Sequence, residues 1–445
     1  MKSALVYINN FGVKTIFGRG PDSTWINHGI SLIIAYCNQL GEKIDLINMG
    51  ELSSWDEFNE KIRDYDIVGY SIVSPDVGNA FKAIEINKKA NHNAVICVGG
   101  VDPSVDIDKY KSSDMIDQII IGEGEIAFYN LICDVKNNNN VKKVVIGDKI
   151  EDLDNIDFIN RDLWQPEFPR LGVDLETPYA TVLSGRACIY NCSFCQPATK
   201  KIFGNKERIR SPKNFVNELQ MLKEKHGMKS FYILDDNVLQ NRDWLECFIR
   251  EYEMKDINCR FMISGRADNI YKNRDLFPKL KELGLSWCCV GFESGSDKIL
   301  KYLKKGSSLD LNLKASDVLK SNGVNIIAFI MFGFPIETKE DIYSSLKFIK
   351  KINPRICEPS TYTPFPGTVL YEDFKNKNLL YSLTSTVAPN AIKIKGVKYI
   401  YIHYIIFRIV YSTSKDFKQK LFNVIYQSYL GFRVLIDFFT RQLIE

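Results

Sequence analysis

Three cysteines, Cys188, Cys192 and Cys195, fall within eight residues of a 445-residue chain, in the spacing C-x3-C-x2-C. They follow an apolar run, Tyr179–Ser184, that reads as a strand. A helical pattern resumes only after Ser211-Pro212, so all three thiols are expected on one long loop. Thiols this close together suit a single metal centre and cannot bridge one another without strain. A closed zinc site wants a fourth ligand nearby, and no Cys or His stands in the next twenty residues. A four-iron cluster is ordinarily held by four cysteines. Held by three, it keeps one iron open for a substrate. A zinc knuckle completed by a distant Cys or His is the other reading.

The loop resembles the cluster motif of the radical S-adenosylmethionine (SAM) enzymes, with Phe194 as the aromatic residue before the last cysteine. The resemblance implies a 4Fe-4S cluster on Cys188, Cys192 and Cys195. It also implies S-adenosyl-L-methionine chelated to the open iron, and cleavage of that compound to a 5′-deoxyadenosyl radical.

The bulk composition excludes other classes. Hydrophobic residues make up 45% and charged residues 25%, as in an ordinary globular protein of two to three domains. The net charge of +4 is too small to argue for nucleic acid by itself, and none is expected as a partner. No export signal or membrane-spanning run is read. With eleven cysteines this implies a reducing compartment, and a cytoplasmic location is expected. The chain has four histidines, His28, His92, His226 and His403, too few for a His-based metal site or relay.

The elements that must position these groups follow from periodicity. Over residues 1–150, five short apolar strands alternate with helical runs, predicting a doubly wound parallel sheet. Ligands of such sheets bind beyond the strand carboxyl ends, here Ser71–Pro75, Gly99–Pro103 and Gly122–Glu125. This half is similar to the cobalamin-binding domain that precedes the cluster motif in one radical SAM branch. On that resemblance Ser71, Ser74, Gly99, Gly100, Gly122, Glu123 and Gly124 are the candidate cobalamin residues. The D-x-H-x-x-G lower-ligand motif is absent, and His28 and His92 read as surface or capping residues. A flavodoxin-like domain without cofactor is the alternative. Residues 151–177 read as a linker, and the polar Asn137–Asn140 tip with Val141–Ile146 as an exposed hairpin.

From 178 to 372, six βα-type repeats predict a partial (β/α)6 TIM-like barrel, whose sites collect at the strand carboxyl ends. The family resemblance assigns Asp235, Asp236 and Asn237 to the amino group of SAM. It assigns Glu293, Ser294, Gly333, Pro335 and Glu337 to the ribose and adenine, and Arg266 suits the SAM carboxylate by its two-pronged geometry. Plainer roles stand beside these: a helix cap for Asp236 or Asn237, a surface pair with Asp268 for Arg266, helix-start chemistry for Glu337-Thr338. No catalytic residue is assigned beyond the cluster. The remaining cysteines read as small core hydrophobes, with Cys357 the one nearest a substrate position.

Residues 373–445 are basic and aromatic, with Phe417, Leu421, Phe422, Ile425, Tyr429, Phe432, Ile436 and Phe439 at helical spacing. They read as a small helical cap on the barrel, or as a surface for lipid or an anionic partner, which admits peripheral membrane contact. The resemblance implies a cobalamin-dependent methyltransferase acting on an unactivated carbon through methylcobalamin. A non-methylating cyclisation or rearrangement and a zinc-stabilised binding protein are the alternatives. Expected partners are a small-molecule or lipid-like substrate and a reductant such as flavodoxin or ferredoxin.

Overall fold

The computed structural model describes residues 1–9, 14–15, 18–19, 25–170, 172–195, 198–383, 391–398, 401–402, 404–406 and 409. His403 and the aromatic stripe from Phe417 to Phe439 lie outside the described residues. The chain forms two compact units. One comprises residues 1–168, 185–189 and 196–210, the other residues 169–184, 190–195 and 211–445. Of the segment read as a linker, residues 151–168 therefore pack with the first unit and 169–177 with the second.

In the first unit the described residues build a six-stranded sheet, all parallel, ordered Ile44–Asn48, Ser3–Tyr7, Ile67–Ser71, Val95–Gly99, Gln118–Gly122, Val144–Gly147. Alternate side chains feed two cores. Ala4, Val6, Val68 and Tyr70 pack toward Phe58, Ile62, Ala80 and Ile84 of helices Trp55–Ile62 and Val77–Ala90. Leu5, Ile67, Cys97 and Ile120 pack toward Ile30, Ile34, Phe128 and Leu131 of helices His28–Gln39 and Glu125–Lys136. Helices on both faces make the sheet doubly wound, and the chain changes face between Ser3–Tyr7 and Ile67–Ser71, the switch point where such sheets bind ligands.

One expectation fails here. Residues 141–146 are not a hairpin: Val144–Gly147 is a sixth parallel strand, Ile119 pairing with Val144 and Gly122 with Gly147. The helix Glu125–Lys136 supplies the crossover that a parallel pairing requires. Being an edge strand, it leaves Ile146 77% exposed, which is why its alternation resembled a surface loop.

In the second unit six parallel strands run in chain order: Tyr179–Val182, Ser230–Ile233, Arg260–Gly265, Leu285–Glu293, Asn325–Phe332, Ile356–Thr361. The sequential order, with helices between strands, is that of a barrel left open between the first strand and the last. Helix boundaries are set by local chemistry. Ser211 caps the Asn214 N–H and Gly227 ends the helix Pro212–His226 in the left-handed region. Thr338 and Asp341 form a capping box on Lys339–Ile352. Asp174, before the first strand, accepts from Trp287 Nε1 at 2.6 Å, and its carbonyl accepts from Arg260 at 2.6 Å. From the same segment Arg170 reaches Glu358 on the last strand at 2.5 Å. The described part of 373–445 carries an antiparallel pair, Leu380–Leu383 with Ala391–Ile394, which helical spacing did not predict.

Candidate active site

The stretch expected as one long loop from Cys188 to Ser211 contains more structure than its composition suggested. Gly185–Arg186 pairs antiparallel with Arg208–Ile209, and Ala198–Phe203 is helical. None of the three motif cysteines is in a disulfide; Cys188 and Cys192 are half-buried and Cys195 is exposed. Among the described residues no three His, Cys, Asp or Glu side chains stand close enough to hold a single metal ion.

Residues 190–195 are anchored within the second unit. Ser193, 1% exposed, donates its N–H to the Leu303 carbonyl at 2.9 Å and accepts from the Leu370 N–H at 3.1 Å. Phe194 packs against the cluster of Ile299, Leu303, Phe334 and Tyr362, so its role is at least partly to hold the loop down. Arg266 follows the strand Arg260–Gly265. It donates to Cys192 Sγ at 3.2 Å and to Asp268 Oδ1 at 3.0 Å, and its guanidinium lies 3.6 Å over the Tyr190 ring. Arg266 thus takes the Asp268 partner read as its plainer role, but as a buried side chain rather than at the surface, and it also faces the cysteine loop.

The other strand ends lie on the same edge of the parallel sheet. Asp235 accepts from the Ser184 N–H at 2.8 Å and from the Ser184 hydroxyl, tying two neighbouring strand ends together. Asp236 is exposed. Asn237 is 2% exposed, and neither end of its amide has a hydrogen-bond partner. Glu293, in left-handed backbone at φ 65, accepts from Lys305 Nζ at 2.9 Å, both side chains being under 10% exposed. Lys305 lies 5.7 Å from the Phe194 ring, and its carbonyl accepts from Arg266. Ser294 hydrogen-bonds Ser345 at 3.1 Å. Gly333 donates its N–H to Glu337 Oε2 at 2.7 Å, while Oε1 is buried without a partner; burial pushes this carboxyl up to about 7 against the pull of the Gly333 and Phe334 backbone N–H groups. Pro335 is exposed. Lys305 escaped the sequence reading because a Lys-Lys-Gly run after a helix looks like solvated surface.

On one face of the barrel sheet Tyr232 hydrogen-bonds Ser264 at 2.7 Å, and Cys289 stands 3.9 Å from Met262 Sδ. Burial pushes the Cys289 thiol up to about 12, and Cys288 and Cys357 upward also. These are neutral core thiols.

In the first unit, Ser71 pairs with Gly99, and Ile72 donates its N–H to the Gly99 carbonyl at 2.9 Å. Ser104 donates to the Gly100 carbonyl at 2.7 Å and accepts from the Gly122 N–H at 3.1 Å. Ser71, Gly99, Gly100 and Gly122 are thereby gathered along adjacent strand ends, with Ser74 in the turn that follows Ile67–Ser71. Gly100 has φ +98, and a Cβ there would lie 2.9 Å from Ile72 N, so the fold itself demands glycine. A Cβ at Gly99 or Gly122 would meet nothing closer than 3.6 Å, and the bare backbone there suits the approach of a broad flat ligand. Gly124 packs against Ile33. The Glu123 carboxylate turns away into the protein, to Arg186 and Arg208, leaving only its backbone for a ligand. His28 is half-buried at the start of its helix, where Asn27 rather than His28 caps; burial and Arg161 lower its pKa well below the usual value.

The Radical SAM superfamily model matches residues 182–349, and the B12 binding domain model matches residues 15–132. The chain belongs to the radical SAM superfamily, in the branch with an N-terminal B12-binding domain. This radical SAM enzyme is 27% identical over 338 residues to an uncharacterized methyltransferase of Pyrococcus horikoshii, covering 72% of each chain. It is 26% identical over 343 residues to the anaerobic magnesium-protoporphyrin IX monomethyl ester cyclase of Rubrivivax gelatinosus, covering 73% of this chain and 61% of that one. Its fold matches that of the radical SAM methyltransferase TsrM from Kitasatospora setae, solved with cobalamin and a 4Fe-4S cluster, with TM-score 0.66 and 14% identity over 87% of this chain and 78% of that one. The cofactors of this enzyme class are therefore a 4Fe-4S cluster, SAM and cobalamin. The residues present fit them: a loop of three cysteines outside any disulfide with a guanidinium N–H on one sulfur, an unpartnered buried amide at Asn237, and bare strand-end backbone at Gly99 and Gly122. Among the described residues no helix is long and apolar enough to cross a membrane.

Proposed function

We propose that this radical SAM enzyme is a methyltransferase that places a methyl group on an unactivated carbon of a small-molecule or lipid-like substrate. The observation that carries the reading is the pairing, in one chain, of a B12-binding domain at 15–132 with a radical SAM domain at 182–349. The naming of relatives such as the Pyrococcus horikoshii protein as methyltransferases supports it. When bound, the cluster with SAM supplies hydrogen-atom abstraction, and the cobalamin supplies a methyl group.

The chain's own residues do the rest. Cys188, Cys192 and Cys195 hold the cluster, and Arg266 steadies the loop by bonding Cys192 and stacking on Tyr190. Asn237, Glu293, Ser294 and the Gly333–Glu337 turn present the polar and backbone groups that bind SAM. Ser71, Ser74, Gly99, Gly100, Gly122 and Gly124 present backbone and hydroxyls to the corrin. Barrel residues such as Tyr232 and Ser264 hold the substrate in place while excluding water. An external one-electron donor of the flavodoxin or ferredoxin type supplies the reductant.

A second reading, ring formation without methyl transfer, is favoured by the similarity to the Rubrivivax gelatinosus cyclase. Reaction under anaerobic conditions with methyl-labelled SAM, reductant and a metabolite extract separates the two. Label appearing in a product supports the methyltransferase. Consumption of SAM with an altered but unlabelled product sinks it in favour of the cyclase.

A further inference from the structure

Four charged side chains in the first unit are buried together. Glu123, Glu125, Arg186 and Arg208 are 2%, 4%, 9% and 6% exposed. Arg186 donates to Glu123 Oε2 at 2.6 Å and to Glu125 Oε1 at 2.5 Å. Arg208 donates to both oxygens of Glu123, at 3.1 Å to Oε2, and to the Ile150 carbonyl at 2.6 Å. The Ile150 N–H completes the set on Glu123 Oε2 at 3.3 Å. Two cations and two anions cancel, so the group is neutral; the Glu123 carboxylate is shared between the two guanidinium forks, and Glu125 accepts from Arg186.

Its position in the chain gives it a use. Glu123 and Glu125 belong to the strand-end turn that begins at Gly122. Arg186 and Arg208 are paired across the two-stranded ribbon that flanks the cysteine motif. Between Arg186 and Cys188 stands Ala187, buried, with φ 76, a left-handed backbone that is sterically unfavourable for any residue with a Cβ. Such strain persists only where the surroundings over-determine it. Room for the turn is made at Gly147, where a Cβ would lie 1.7 Å from the Glu123 carbonyl oxygen. Buried ion groups are weak sources of stability but impose a registry that apolar contacts do not.

We propose that this quartet is a positioning device: it seats the root of the cysteine loop on the Gly122–Gly124 turn and aims Cys188 for cluster binding. Glu123 then serves the cluster rather than the corrin, although its turn lies on the cobalamin side by sequence. The inference rests on the reading that Cys188, Cys192 and Cys195 hold a cluster.

The test uses the full chain, reconstituted anaerobically with iron and sulfide, in wild type, Glu123→Gln, Arg208→Gln and the charge-balanced double variant. Iron and sulfide per chain, the electron paramagnetic resonance of the reduced cluster, hydroxocobalamin uptake and the unfolding midpoint are measured. Each single variant is expected to bind several-fold less iron or to show an altered resonance. The double variant should regain most of the iron, with hydroxocobalamin uptake and unfolding midpoint near wild type. If a single variant does not fold, the double variant decides by the same criteria. Single variants with full iron and an unchanged resonance overturn the proposal, as does loss of hydroxocobalamin in Glu123→Gln but not in Arg208→Gln. Joint loss of iron, cobalamin and thermal stability in every variant overturns it too, reducing the quartet to a general fold element. A wild type that takes up no iron defeats the cluster reading itself, and the inference with it.

Discussion

Arg266 donates a hydrogen bond to Cys192 Sγ at 3.2 Å while its guanidinium covers the Tyr190 ring two residues earlier in the same motif. A hydrogen-bond donor on a cluster thiolate stabilises the more electron-rich, reduced state and raises the reduction potential. Arg266→Met is expected to shift the cluster potential to more negative values, with Arg266→Lys in between, because the lysine keeps the charge but loses the fork and the stacking. A redox titration followed by electron paramagnetic resonance measures this. Equal potentials in all three proteins remove Arg266 from any role at the cluster.

The cysteines divide by environment. Serine at Cys188, Cys192 or Cys195 should abolish stoichiometric iron and sulfide binding. Serine at Cys288, Cys289 or Cys357, thiols that burial keeps protonated, should leave iron content intact and cost only packing stability. Iron and sulfide analysis after anaerobic reconstitution distinguishes the sets, and a variant of the first set with full iron content counts against the ligand assignment.

Glu337 makes stability depend on pH. Its folded pKa of about 7 stands above the ordinary 4.5 because of burial. Between those values the folded state binds more protons than the unfolded one, so stability falls as pH rises. The favourable contribution is complete below about pH 4.5 and lost once pH passes 7. Glu337→Gln keeps an acceptor for the Gly333 N–H and removes the titration. It is expected to be more stable than wild type at pH 8 by roughly 1–3 kcal/mol, with a smaller difference at pH 5. Denaturant unfolding at the two pH values checks this, and a difference independent of pH contradicts it.

The Glu293–Lys305 pair is buried on both sides. Lys305→Met leaves a buried carboxylate uncompensated and should destabilise the second unit by about 3–5 kcal/mol. Adding Glu293→Gln should recover much of that loss. Gly291 is part of the same arrangement, since a Cβ there would stand 2.4 Å from Glu293 Oε1 and 3.1 Å from Lys305 Nζ. Gly291→Ala should cost about 1–3 kcal/mol by pushing the pair apart. Unfolding of wild type, Lys305→Met, Glu293→Gln, their double variant and Gly291→Ala under one condition tests the set, and full additivity of the Lys305 and Glu293 substitutions would argue that the residues do not interact.

The chemistry-bearing motif and the elements around it were readable from local order. C-x3-C-x2-C needs only three positions along the chain. Most of the barrel strands announce themselves as apolar runs ending in polar residues or glycine, because a strand buried on both faces is largely apolar and stops where its ligand-facing end begins. The same rule marked five of the six strands of the first sheet. Val144–Gly147 was missed because an exposed edge strand carries little of that signal, and its pairing with Gln118–Gly122 depends on a crossover rather than on its own residues.

What only the tertiary structure decided is which distant partner each polar side chain takes. Glu123 looks by sequence like part of a ligand turn, yet its carboxylate is used by Arg186 and Arg208, more than sixty residues away. Arg266 finds Cys192 across seventy-four residues, and Lys305, in a run that reads as surface, is buried against Glu293 and Phe194. Periodicity encodes which face of an element is buried, a property of neighbours along the chain. The choice of charge partner depends on which strand ends the sheet order places side by side, and that order is settled by the packing of the whole unit.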